Sequence, residues 1–344
     1  MRSPSLVCPS PIGSALLCAW CLASIAQAQL DDPSVPLSDA ERRAANDVPD
    51  EHTPSPGEHY PVSNEWRHDL WFPHIRDLGG AFVGVGSDQC YTLAAIQNAR
   101  VVWVVDFDPV VPIVHRLYGV LVGESESPDA LVARFSDEGA PQARELFGSR
   151  LRDRDLQEVL RVYERNRERM HGYLSRVRRG QHGPTWLSDP ALYARVRALH
   201  RNSRIIARNG DVTANGALRA VGRVASQLGV AVRVLDLSNA EQFFPWGADF
   251  RANFTSLPSD ERSVVLRTFR DRRATYPAGD RWHYVVQPAS DMRARIDEAG
   301  YRHSRQLVID LVSGAGRRLG RDGVTVLDAS VPRRAVPRAA RASR

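Results

Sequence analysis

The stretch AFVGVGSDQCYTLAAIQNARVVWVVDFD, residues 81–108, changes its pattern three times in under thirty residues. Ala81–Gly86 is a short apolar run that ends in glycines, as a buried strand does where it turns. Ser87–Gln97 has helical spacing, with Ser87 as the expected N-cap. Val101–Val105 is apolar at every position, which a central parallel strand requires because both of its faces are covered. Asp106 and Asp108 close that strand, and Val110–Val122 reads as a second helix. Strand, glycine loop, helix, strand and acid make a βαβ unit.

The same alternation returns further along. Arg204–Ala207, Val230–Leu237, Ser263–Thr268 and Trp282–Gln287 read as strands. Ala214–Leu228 reads as a helix with Gly229 at its C-cap, and Asp291–Ala299 as another. Arg305–Val312 fits a helix or a strand. Between the two strand groups, residues from about 125 to 200 are charged and helical, and predict a helical insertion over the sheet. The fold class expected is α/β, Rossmann-like, with a mostly parallel sheet. On the N-terminal side, Trp66, Leu70, Trp71, Phe72 and Ile75 predict an amphipathic helix over residues 65–76 leading into the sheet.

The flanks differ in composition. Ile12–Ile25 is apolar, Arg2 precedes it, and Ala26-Gln27-Ala28 is a small-x-small cleavage pattern. Residues 1–28 therefore read as a signal peptide, which predicts an exported chain, periplasmic or extracellular, with no transmembrane anchor after cleavage. Residues 29–60, rich in Pro, Asp, Glu and Ser, read as a disordered acidic linker. The α/β domain spans 61–315, and 316–344 reads as a basic disordered tail. Three of the four cysteines fall in the signal peptide, which leaves Cys90 alone and excludes a disulfide framework or a cysteine metal site.

The net charge of +6 comes from arginine alone, since the chain has no lysine. Eight arginines against Asp322 and Asp328 put +6 on residues 317–344, and with Arg2 this leaves 29–316 near −1. Specific nucleic-acid binding is therefore not expected of the body. The arginine tail could make a weak contact with an acidic envelope polymer or lipid.

In a parallel sheet, ligands bind beyond the carboxyl ends of the strands. Those ends carry Gly84 and Gly86, Asp106 and Asp108, Asn209 and Asp211, and Asp236, Ser238 and Asn239. Gly84-x-Gly86 lets backbone approach a small-molecule ligand, and the following helix start offers free N–H groups. Gln89 stands where a dinucleotide fingerprint has its third glycine. Glu65, Asn239 and Glu241 are candidates for acid, base or acceptor contacts. Glu65 lies where Ser63 or Asn64 could equally cap a helix. Tyr91 reads as pocket floor or core, and His115 as a satisfied helix histidine. No HExxH and no close histidine pair suggests a metal, and Gly86-Ser87 lacks the trailing glycine of a nucleophile elbow.

The run 81–116, NGDVT at 209–213 and VLDLSNAEQF at 234–243 resemble class I S-adenosylmethionine-dependent methyltransferases. They also resemble an uncharacterised bacterial family with a Gly-x-Gly-x-x-Gln-x-(Tyr/Phe) loop and a later Ser-Asn-x-Glu-Gln segment. The resemblance implies a methyltransferase-like sheet and S-adenosylmethionine as cofactor. It places Gly84, Gly86 and Gln89 at the methionine moiety, Asp106 or Asp108 at the ribose, and Asp211 at the adenine. Phe82 stands where that family has an acid. A second resemblance, Val-Val-Asp106-Phe-Asp108, is to haloacid-dehalogenase-type phosphatases, and implies Asp106 as nucleophile, Asp108 as acid/base and Mg²⁺ as cofactor. That family's lysine has no counterpart here. A non-catalytic envelope binding protein is the third reading.

Overall fold

A computed structural model describes residues 32–298, 300–313, 319–320 and 322–327. Seven strands form one sheet: β1 (Ala81–Gly84), β2 (Val101–Asp106), β3 (Ile205–Asn209), β4 (Val232–Asp236), β5 (Val264–Phe269), β6 (His283–Pro288) and β7 (Val324–Val326). Their order is β3-β2-β1-β4-β5-β6-β7. The first five are mutually parallel, β6 runs antiparallel to β5, and β7 is parallel to β6. The chain moves outward from β1 to β3 and then crosses back to lay β4 against β1. The strand order therefore reverses between β1 and β4, the switch point of a doubly wound, Rossmann-like sheet.

Alternation along each strand divides the core. Val83, Trp103, Val105 and Leu235 pack on one face with α9 (Ala217–Gln227) and α10 (Ala248–Ser256). Phe82, Val102, Val104 and Val234 pack on the other with α3 (Gln89–Gln97) and Trp71. The lead-in segment forms a 3₁₀ turn at His68–Trp71 and the short α2 (Phe72–Ile75), not one long helix, because Pro73 in its first turn resets the start of the helix.

The insertion holds four helices, α5 (Pro128–Ala133), α6 (Ala140–Arg150), α7 (Asp153–Arg179) and α8 (Pro190–Arg201); α6, α7 and α8 pack on α4 (Val110–Glu124), and α5 packs on α7. Their shared core is aromatic, with Tyr91, Tyr118, Phe135, Phe147, Tyr163 and Trp186 all buried. α7 begins with Asp153 and Asp155 and ends with Arg176, Arg178 and Arg179, charges that suit the helix dipole at each end. Gly180, at φ +57°, stops it. After β6, α11 (Ala289–Ile296) and α12 (Ser304–Ser313) complete the described helices.

Two further expectations fail. The segment read as a linker is packed from Asp32 onward. α1 (Asp39–Asn46) carries a full capping box between Ser38 and Glu41, and Leu37, Ala45 and Val48 enter the core. Its low apolar content is offset by polar ties: Trp103 Nε1 donates to Ala45 O at 3.0 Å, and the Arg204 and Arg208 guanidinium groups bind carbonyls of Val35 and Val48. The basic tail is the second. Val324–Val326 lies within it yet pairs with Tyr284–Val286 as strand β7, because its apolar–polar alternation fits an edge position. The signal peptide and residues 328–344 lie outside the described residues. No described helix is long and apolar enough to cross a membrane.

Candidate active site at the strand switch point

The loop after β1 satisfies itself. Gly86 adopts φ +86°, a left-handed conformation that favours glycine. Its N–H donates to Asp106 Oδ2 at 2.7 Å, and the other Asp106 oxygen accepts from Asp108 N at 2.8 Å. Burial pushes the Asp106 carboxyl up to about 6 against those two bonds. Gln89 folds back into the bend. Its Oε1 accepts from Ser87 N at 2.9 Å and its Nε2 donates to Val85 O at 3.0 Å. A Cβ on Gly86 would lie 2.3 Å from that amide nitrogen. Gln89 thus fills the space that the missing glycine would have left open. The helix starts at Gln89 with Asp88 at the N-cap, and Ser87 does not cap it. His115 Nε2 lies 2.9 Å from Gly86 O, and its Nδ1 lies 2.6 Å from the Tyr91 hydroxyl. Burial lowers His115 to about 4, so at neutral pH it is an uncharged core group.

The carboxyl ends of β2 and β3 are covered by the N-terminal segment. Asp108 accepts from His59 Nδ1 and Val110 N. Asp211 accepts from Thr213 within its own turn. Its N–H donates to Glu51, whose other oxygen takes Ala217 N at 2.7 Å and so caps α9. Thr53 N donates to Asn209 Oδ1 at 2.8 Å. The positions that the resemblance assigns to ribose and adenine are therefore occupied by side chains of residues 51–59.

An open cleft remains over the ends of β1 and β4, roofed by the C-terminal turn of α7 and residues 180–185. It has a volume of about 280 Å³ and is lined by Glu65, Trp66, His68, Asp88, Tyr173 and Arg176, among others. Glu65 is buried at 2% exposure. Its Oε1 accepts from the hydroxyls of Ser238 at 2.7 Å and Thr268 at 2.5 Å. Its Oε2 faces His68 Nε2 at 3.3 Å. Asp280 fixes the turn that carries both residues, since its Oδ2 accepts from Trp66 N, Arg67 N and the Tyr284 hydroxyl. The His68 ring packs edge-on to Tyr284 and tilted against Trp71.

The electrostatics of the cleft follow from burial. Desolvation opposes charge on His68, but the bond to Glu65 and the charges of Glu65, Asp236 and Asp280 outweigh it and hold the imidazole above its ordinary value. Asp236, fully buried at the end of β4, is pushed up to about 7 by burial and by Glu65. One of its oxygens accepts from Ser238 N at 3.0 Å, and Oδ2 has no hydrogen-bond partner among the described residues. Asp88 is pushed up to about 6 by burial, although Trp186 Nε1 donates to it at 2.9 Å. Arg176 lies 4.6 Å over the Trp66 ring at the mouth.

A family described as a domain of unknown function (DUF7790) matches residues 60–328. The chain belongs to the DUF7790 family. No curated protein matches it. The DUF7790 span begins at Tyr60 and so contains the sheet, the cap and every residue of the cleft, but not Glu51 and Thr53, which cover the β3 end.

Of the sequence candidates within the DUF7790 span, Glu65 alone reaches the cleft with a charged group, and Gln89 lines it. Gly84 and Gly86 do not line the cleft; Gly86 packs against the Gln89 amide that does. Glu241 does not belong: it is buried in an ion pair with Arg267 at 2.5 Å on the far side of β5. Asn239 begins the 3₁₀ turn Ala240–Gln242 and does not line the cleft. Asp106 and Asp108 are bound to backbone and to His59, so they do not present a nucleophile and an acid to this cleft. His68, Asp88 and Tyr173 were missed. The spacing Glu65-x-x-His68 was the available signal for the first, because one helical turn brings such residues together. Among the described residues, no cluster of three or more His, Cys, Asp or Glu is placed to hold a metal ion.

Proposed function

We propose that the domain binds a small polar ligand in the cleft over Gly84–Gln89 and moves a proton on it through His68. One observation carries this reading: Glu65 is locked by two hydroxyls on one oxygen and meets His68 with the other. A buried carboxylate behind an imidazole fixes the ring, selects the tautomer with its proton on Nε2 and stabilises the charged form. Nδ1 is then the basic atom left for a ligand. Imidazole is the side chain whose ordinary pKa suits proton transfer near physiological pH, and Glu65 raises that of His68 above it. The position at the strand reversal is where sheets of this order hold their ligands.

The test is a thermal-shift screen of small polar metabolites against the wild type, Glu65→Gln and His68→Asn. A compound that protects the wild type and neither variant supports the reading. A compound that protects all three equally, or a screen in which none protects the wild type, contradicts it.

A methyltransferase-like activity is the second reading, favoured by the Rossmann strand order with the Gly84–Gly86 bend beside the switch point. S-adenosylmethionine would then need Gln89 to leave the bend and residues 51–59 to leave the β2 and β3 ends. Calorimetry with S-adenosylmethionine tests it, and absence of heat at high micromolar ligand counts against it. Independently of either reading, the apolar run 12–25 and the Ala26-Gln27-Ala28 site support export of the chain, which would separate it from a cytoplasmic supply of S-adenosylmethionine. Fractionation with N-terminal sequencing tests that placement.

A further inference from the structure

We propose that the hollow between α4 and α7, closed by residues 57–59, is a second ligand site and takes a small organic phosphoester. It has a volume of about 420 Å³ and lies apart from the cleft of Glu65 and His68. Val110, Ile113 and Val162 give it an apolar floor, and Arg161, Arg165 and Arg169 line its rim. The three arginines recur every four residues of α7, which stacks them about 6 Å apart along one helix face.

The pairing of charges separates this face from an ordinary solvated one. Elsewhere on α7, Arg154, Arg167 and Arg178 are each bonded to a carboxylate. Arg161 and Arg165 have no ion-pair or hydrogen-bond partner among the described residues, and Arg169 reaches only the His59 carbonyl at 3.4 Å. Of the two acids at the rim, Glu158 is ion-paired and Glu58 keeps its charge on a neutral donor, so three guanidinium groups face one free carboxylate. Glu158 is shared by Arg154 at 2.7 Å and Arg116 at 3.4 Å, and Glu58 accepts from the Tyr60 hydroxyl at 2.8 Å. The hollow thus holds an uncompensated positive charge in a body whose net charge is near neutral.

The donor set favours phosphate over carboxylate. One arginine fork saturates a carboxylate, whereas a phosphoester brings three acceptor oxygens and roughly −1.5 to −2 of charge. His59 adds a further polar group. Its Nδ1 is held by both Asp108 oxygens, at 2.9 and 3.0 Å, which leaves Nε2 to share a proton with an acidic oxygen. The apolar floor calls for an organic body and not for inorganic phosphate alone.

The experiment is calorimetric titration of the full chain with phenyl phosphate at low salt, with benzoate and inorganic phosphate as comparators. Saturable binding of phenyl phosphate, tighter than either comparator, is expected. It should weaken by about tenfold or more in the double variant Arg161→Gln/Arg165→Gln. Both side chains are exposed, so the unfolding midpoint of the variant should match the wild type and report intact folding. Glu65→Gln should leave this binding unchanged, which separates it from the cleft. No saturable heat up to millimolar ligand, equal binding by the double variant, or loss of binding in Glu65→Gln would overturn the proposal.

Discussion

Glu65 and Ser238 stand 173 positions apart in the chain and meet at 2.7 Å, carboxylate to hydroxyl. The bond ties the lead-in segment to the end of β4, and with it sets the far wall of the cleft. Ser238 adopts φ +46° to make that approach. A non-glycine residue in the left-handed region carries strain that surrounding contacts must hold. Here a functional candidate and a strained turn coincide.

Removing the Ser238 hydroxyl should loosen that tie. Ser238→Ala leaves Glu65 with Thr268 as its hydroxyl donor and should cost about 1–3 kcal/mol, the range for a lost bond to a buried charged group. Urea unfolding reads the loss. Ser238→Gly relieves the φ strain while removing the same hydroxyl, so it should cost less than the alanine variant.

The buried acids should contribute stability that grows as pH falls from 8 to 5, against an opposing loss from His115 and His200, which burial lowers to about 4 and about 3 and so holds uncharged. Asp88 and Asp106 are pushed up to about 6 and Asp236 to about 7. Each holds a proton in the folded chain at pH values where the unfolded chain has released it. Their cost is absent below about pH 4, grows through the interval up to about pH 7 and is complete above it. His68 acts in the same direction. Its raised pKa stabilises the fold fully below the ordinary value, and that contribution is lost as pH rises through the folded one. Thermal unfolding across this range checks the slope.

Asp236→Asn isolates the largest of these contributions. The amide keeps an oxygen for Ser238 N and removes the buried charge. The variant should be more stable than the wild type at pH 8 by about 1–4 kcal/mol, with the difference vanishing near pH 4. A variant destabilised at pH 8 would show that the ionised Asp236 has a partner worth more than its burial costs.

Glu51→Ala should cost about 1–2 kcal/mol, because it strips the N–H groups of Asp211 and Ala217 of their acceptor and uncaps α9. Hydrogen exchange should quicken first at the start of α9. If exchange there is unchanged, residues 47–53 do not hold that end.

The β1–α3–β2 unit was legible because each of its signals is local: apolar runs, glycines and a terminal acid. The insertion was legible from the sustained helical period of residues such as those in α7. Residues 32–60 were misread because apolar content was the criterion, and this segment is held by Arg204, Arg208 and Trp103 reaching out to its carbonyls. Ser38-x-x-Glu41 was a capping-box signal that composition obscured. At the site, Glu65 was legible as a candidate acid or base placed just ahead of the first strand. That Gln89 fills the bend after β1, or that Asp236 is buried beside Glu65, depends on side-chain packing across β1 and β4 that no local pattern encodes.

The most direct measurement is the NMR titration of His68 in the wild type and in Glu65→Gln. The account predicts a wild-type pKa above the ordinary value of about 6.5, and a fall below it in the variant, where burial acts without the carboxylate. Indistinguishable titration curves in the two proteins would contradict the pairing on which the proposed proton transfer stands.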